Sequence, residues 1–205
     1  MIITVTSLKF KKNKYEVTFS NDEKVVCNED MIVKFRLVKG KELSLDTYKN
    51  IRISASYFDF YDKALSYIAK GPKSKNKIYL YLMNKECAKE HANLIIEELS
   101  NKKLIDDFKY FEMLASHYLR KNYGQIYIRQ KGIEEKIDKN IIEEVLNDID
   151  YDIYLENART LALKKYNTIK AKDSYERKIK LKNYLLSRGY TYEIINEVTG
   201  GLNDE

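Results

Sequence analysis

Apolar residues recur along most of this chain at the spacing of a helix face, and one short pattern is written three times. An apolar residue is followed, three positions on, by a basic residue and then by Gly or its substitute. The copies are Leu82 with Lys85-Glu86, Ile128 with Lys131-Gly132, and Leu185 with Arg188-Gly189. Counting from 86, 132 and 189, the ninth position holds Ile95, Ile141 and Val198, and the thirteenth holds Leu99, Val145 and Leu202. The copies stand 46 and 57 residues apart, and the longer interval falls in the charged stretch 164–177. Such a period marks one supersecondary unit copied along a line, and predicts an elongated, curved helical body rather than a globule around one pocket.

Each unit is expected to hold three helices. In the first, Ala64, Leu65 and Ile68 share a face, Gly71-Pro72 breaks the helix, and Ser74 caps a second carrying Ile78 and Leu82. Ala92, Ile95, Ile96 and Leu99 line the third. In the second unit Asp106 caps a helix with Phe108, Phe111, Ala115 and Tyr118, Gly132 ends the next, and Ile137, Ile141 and Val145 line the last. Leu155, Ala158 and Ala162, then Leu181 and Leu185, then Ile194, Val198 and Leu202 repeat the scheme. Gly after a cation suits a helix end, because Gly accepts the left-handed conformation and the cation meets the negative end of the dipole. Glu86, in the Gly position, strains that cap by about 1 kcal/mol.

The first 27 residues follow another period. Tyr15, Val17 and Phe19 alternate with polar residues, Ser20-Asn21-Asp22 makes a turn, and 24–27 is a second extended run. With 2–10 as a third strand, this is a small antiparallel β meander, too small to stand alone. Asn28 caps a short helix over 31–38 that stops at Gly40, and Ser44 with Asp46 starts the next. The fold class is mainly α: tandem three-helix repeats behind an N-terminal β meander, divided as 1–50, 51–103, 104–150 and 151–205.

Composition narrows the chemistry. One Pro and seven Gly in 205 residues favour helices. Two cysteines, Cys27 and Cys87, make no disulfide framework and suit a reducing interior. No basic-then-apolar leader and no run of ~20 apolar residues is present, so the expectation is a cytoplasmic protein without membrane contact. No phosphate-binding Gly loop ending in Gly-Lys-Ser/Thr and no Gly-x-Ser-x-Gly occurs. Cys87 and His91 share a helix face but lack further ligands for zinc. Adjacent acids such as Asp106-Asp107 point apart on a helix and form no catalytic dyad. Catalytic residues, metal and cofactor are therefore expected to be absent.

Lys and Arg exceed Asp and Glu by 37 to 31, a net charge of +6, which points to an acidic partner such as nucleic acid or an acidic protein groove. Six basic residues near the predicted breaks are the candidates for such contacts: Lys70, Lys73, Arg120, Arg129, Lys131 and Arg188. Lys131 and Arg188 also fit as plain helix caps. Eighteen Tyr interleave with the Lys, a pattern that suits base stacking on single strands. Many of them, Tyr118 and Tyr184 included, fall at core spacing instead.

Three blocks resemble the RecX family, regulators of the bacterial RecA recombinase. Ala64-Leu65-Ser66-Tyr67-Ile68 with Lys70-Gly71-Pro72-Lys73-Ser74 is similar to the family's opening, with Lys for Arg. Leu104-Ile105-Asp106-Asp107-Phe108-Lys109-Tyr110-Phe111 resembles its "L-x-D-D-x-x-F-A" block, with Phe111 for the small residue. The stretch from Lys180-Leu181 through Tyr184-Leu185 to Arg188-Gly189-Tyr190 resembles its closing "K-L-x-x-Y-L-x-x-R-G-F". Glu86 departs from the usual Gly, and Gly124 stands only eight residues before Gly132. The resemblance implies a monomeric, non-enzymatic protein that lies in the groove of the RecA–DNA filament. It implies inhibition of recombinase, ATPase and co-protease activity, with contact to single- and double-stranded DNA. Two rivals remain: a DNA-binding helical module acting without RecA, and a nuclease, which would need an acidic metal cluster.

Overall fold

Alternation in the first strands decides which side of the sheet is buried. The structure, a computed structural model, describes residues 2–201. In it β1 (Ile2–Lys11), β2 (Lys14–Phe19) and β3 (Lys24–Cys27) form the expected antiparallel meander. Ile3, Val5, Val17, Phe19, Val25 and Cys27 face inward and are buried. Lys12 and Asn13 both have positive φ, as a two-residue hairpin between right-twisted strands requires. The helix α1 (Glu29–Phe35) follows, with the Asn28 side chain accepting from the Met31 N–H as expected. It ends at left-handed Arg36 rather than at Gly40. Gly40 instead turns the chain back to β1, its N–H donating to the Val5 carbonyl at 2.8 Å.

A fourth strand, β4 (Glu42–Ser44), pairs with the free edge of β1 and gives the order β3-β2-β1-β4. Three residues are too few for alternation to reveal, so the sequence reading did not include it. The helix α2 (Leu45–Ile68), capped by Ser44, lays Tyr48, Ile51 and Ala55 into the core of the sheet. It continues without a break through the expected border at 50/51.

Eight further helices follow: α3 (Lys75–Met83), α4 (Lys89–Asn101), α5 (Asp107–Leu119), α6 (Gln125–Glu134), α7 (Lys139–Asn147), α8 (Tyr151–Tyr166), α9 (Ser174–Ser187) and α10 (Tyr192–Gly200). They read as triplets, with α2, α3 and α4 forming the first. The chain divides into two compact units, one of residues up to Gly71 with Ile78–Leu104, the other of Pro72–Lys77 with the residues from Ile105 on.

The middle helix of each triplet ends in the same cap. Glu86, Lys136 and Gly189 have positive φ, and the N–H of the next residue reaches back five positions: Cys87 to Leu82, Ile137 to Gly132, Tyr190 to Leu185. The left-handed residue itself donates to the carbonyl three positions back. This is the Schellman arrangement, and its apolar follower is buried in all three copies. The true intervals are therefore 50 and 53 residues.

The expectation that Gly132 ends α6 is corrected. Gly132 lies inside the helix because the chain needs room there, not a left-handed turn. A Cβ on it would stand 2.8 Å from the Phe111 ring and 2.8 Å from Ile142. The large residue at 111 and the Gly at 132 thus fit each other in the core with Ile128 and Leu146. Leu202, expected to line the last helix, lies outside the described residues.

Candidate functional site

Within the second unit, the start of α6 meets the end of α9 backbone to backbone. The Gly124 N–H donates to the Arg188 carbonyl at 2.9 Å, and the Ile126 N–H to the Gly189 carbonyl at 3.0 Å. These donors are the unpaired N–H groups of a helix start and the acceptors are the unpaired carbonyls of a helix end. The approach leaves no space for a side chain. A Cβ on Gly124 would collide with the Gly189 carbonyl, and one on Gly189 with the Tyr127 backbone. The buried Tyr190 hydroxyl donates to the Asn122 carbonyl at 3.0 Å and closes the joint. Burial holds the Tyr190 hydroxyl well above the ordinary tyrosine range.

This joint places a row of rings and cations on one surface. Tyr127 stacks on Tyr123 with centroids 4.0 Å apart. The Arg188 guanidinium lies 4.9 Å over Tyr123 and 5.3 Å over Tyr184. Lys131 stands 5.2 Å over Tyr127, and Lys165 stands 5.3 Å over Tyr184. Tyr118 meets Tyr123 and Tyr127 edge-on. All seven side chains are half-buried. Tyr118 and Tyr184 flank the core rather than fill it. The buried tyrosines are Tyr48, Tyr110, Tyr154 and Tyr190.

Of the six basic candidates, Arg188 and Lys131 lie in this row. Arg188 is the C-cap of α9 and sits in the row, its guanidinium donors unburied and without a hydrogen bond or ion pair among the described residues. Lys131 is in the row but bonds Glu134 at 2.7 Å, which raises the lysine's pKa and lowers the glutamate's. Arg129 forms a two-pronged pair with Glu143, both bonds 2.9 Å, and this holds the Glu143 carboxyl below the usual range. Arg120 caps α5 and is exposed. Lys73 is half-buried, with its ammonium 3.3 Å from the Pro72 carbonyl. Lys70 belongs to the other unit and is exposed.

Sequence reasoning missed Tyr123, Tyr127 and Lys165. One signal was available: Tyr123 and Tyr127, Tyr127 and Lys131, and Tyr184 and Arg188 are each four apart, the spacing of neighbours on a helix face. Lys165 comes from another helix and carries no such signal.

Beside Ser74, which caps α3 as expected, the ammonium of Lys77 donates to Tyr110 Oη at 2.6 Å and to Glu135 at 2.8 Å. The Ser74 hydroxyl donates to the same carboxylate at 3.0 Å. The Asp107 carboxylate accepts from the Lys75 N–H, and Asp106 caps α5 through the Phe108 and Lys109 N–H groups. These polar groups satisfy one another. Cys87 and His91 gain no further ligand, and among the described residues no cluster of three or more His, Cys, Asp or Glu could hold a metal ion. No helix among the described residues is long and apolar enough to cross a membrane.

Known proteins share this design. Residues 152–199, which span most of α8 through α10, match the family described as RecX, third three-helix domain. A crystal structure of regulatory protein RecX superposes with a TM-score of 0.84 at 20% identity, over 97% of this chain and 99% of that one. Regulatory protein RecX of Streptococcus uberis is 28% identical over 205 residues, covering 98% of this chain and 78% of that protein. Regulatory protein RecX of Clostridium acetobutylicum is 32% identical over 201 residues, covering 96% of this chain and 94% of its own. With that identity sustained along both chains, and with the same helical triplets behind the same sheet, the chain belongs to the RecX family of regulatory proteins.

Proposed function

We propose that this protein is a non-enzymatic regulator that binds the RecA filament on DNA and lowers its ATPase, strand-exchange and co-protease activities. The observation that carries the reading is the row from Lys131 to Lys165, in which Arg188 is held ready and unpaired between two rings. A regulator without chemistry of its own acts through such preorganised contacts, repeated over units and summed along the partner. Membership of a family of regulatory proteins supports RecA as the partner, and the polar clusters on the second unit are mutually satisfied, which fits a scaffold.

The test is the ATPase rate of the cognate RecA on single-stranded DNA, with this protein added below stoichiometry. The expected result is a progressive fall in rate. An unchanged rate at stoichiometric excess overturns the reading and favours the DNA-binding module acting without RecA. Exposed cations such as Lys70 and Arg120, neither paired with a carboxylate among the described residues, give that second reading its support.

A further inference from the structure

The row of rings on the second unit resembles a stacking platform for nucleic-acid bases, yet its ring faces are already taken. Tyr123 has Tyr127 on one face at 4.0 Å, so the Arg188 guanidinium over the same ring occupies the other. Tyr127 has Tyr123 on one face and Lys131 over the other. A base would have to displace a cation–π contact to stack there, losing much of what stacking supplies.

The row's own cations and those paired beside them do not form a phosphate track either. Lys131 is neutralised by Glu134, and Arg129 by Glu143. Lys180, one turn before Tyr184 on α9, is neutralised by Glu176. A strand of nucleic acid gains affinity from each phosphate neutralised in succession. Of the row's own three cations, Arg188 and, beyond Tyr184, Lys165 are not paired with a carboxylate among the described residues.

What remains is a single planar fork, held by rings and by a helix end that backbone hydrogen bonds fix in place. Such a fork matches one carboxylate through two parallel hydrogen bonds, and its preorganisation reduces the entropy lost on binding. We propose that Arg188, framed by Tyr123 and Tyr184, is a carboxylate-receiving site that docks an acidic protein segment rather than a DNA backbone. Tyr184 and Tyr123 are positioning residues. The proposal deepens the regulator reading and rests on it for the identity of the natural partner.

The experiment compares two labelled probes, a deca-glutamate peptide and a deca-thymidylate strand, on the wild type, Arg188→Lys, Tyr184→Leu and Tyr184→Phe. Lys keeps the charge but loses the fork, so Arg188→Lys is expected to weaken the peptide about tenfold and the strand less than about twofold. Tyr184→Leu is expected to follow Arg188→Lys, and Tyr184→Phe, which keeps the ring, to retain wild-type binding. Equal peptide affinity in Arg188→Lys and the wild type overturns the site, as does a larger loss on the strand. The ATPase assay separates the two proposals. If the wild type inhibits and Arg188→Lys inhibits equally, the site fails and the regulator reading stands. If the wild type leaves RecA unchanged, the regulator reading fails and the peptide comparison alone decides the site.

Discussion

A thiolate, not a thiol, is the reactive form of cysteine, and burial keeps the thiol protonated. Cys27 is fully buried under the sheet, and burial pushes its pKa up to about 11; Cys87 is 2% exposed and is raised by the same cause. Neither is expected to react with a disulfide reagent at pH 8 in the folded protein, while both react at once in denaturant. Rapid titration of either thiol under native conditions would contradict this packing. Glu98 gives a residue-scale prediction of opposite sign. Lys102 and the Tyr57 hydroxyl donate to its carboxylate and hold its pKa below the ordinary value. A depressed folded pKa contributes stability that is present above the unfolded pKa and is lost as pH falls through the folded one. Glu98→Gln should therefore flatten the acid limb of stability below about pH 4.5, measured by urea melts at several pH values. At this scale the sequence was legible where a side chain bonds its own backbone neighbourhood, as Asn28, Ser44, Ser74 and Asp106 do. It was silent where the partner is distant in sequence. Arg188 reads as a cap, and the Tyr123 ring beneath it comes from 65 residues away.

Several helices here stop where the backbone turns left-handed, and most of those turns are made without glycine. Arg36, Glu86, Lys103, Asn122 and Lys136 take positive φ at helix ends, whereas Gly71 after α2 and Gly189 after α9 are glycines suited to it. Each non-Gly residue bears a strain of about 1 kcal/mol, partly offset because Gly has more freedom to lose on folding. Glu86→Gly and Lys136→Gly are each expected to raise stability by about 0.5 kcal/mol, read from the urea midpoint at unchanged slope. Gly189→Ala is expected to cost about 3 kcal/mol, because strain adds to a collision with Tyr127 that no rotamer relieves. Its circular dichroism melt should fall well below that of Glu86→Gly. These caps also explain the slip in repeat register. A search for Gly finds 132 and 189, but the physical constant is a left-handed residue followed by a buried apolar one. By that rule Cys87, Ile137 and Tyr190 align, and Ala92, Ile142 and Ile195 follow five positions later. The helical triplets themselves were legible because every buried face is several turns long. The three-residue β4 was not, since its place depends on the far edge of β1.

Net charge describes the whole molecule poorly until the pairs are known. The excess of six positive charges suggests a protein that clings to DNA, and composition can go no further. The structure shows many cations already matched: Lys14 with Asp62, Arg52 with Glu23, Lys77 with Glu135, Lys102 with Glu98, Arg129 with Glu143, Lys131 with Glu134 and Lys180 with Glu176. Most of these pairs are exposed and add little stability. Their effect is on the field, because a phosphate approaching such a lysine meets its carboxylate too. The number of phosphates that this protein neutralises should therefore be much smaller than its count of lysines and arginines. Each phosphate neutralised on a single strand contributes about −0.7 to the slope of log affinity against log salt. Naked single-stranded DNA is expected to give a slope no steeper than about −3, with weak affinity at physiological salt. A slope twice as steep would mean that the molecule works as a DNA-binding module. A shallow slope, with inhibition of the filament ATPase persisting at the same salt, would place the main contacts on protein and leave DNA a secondary role.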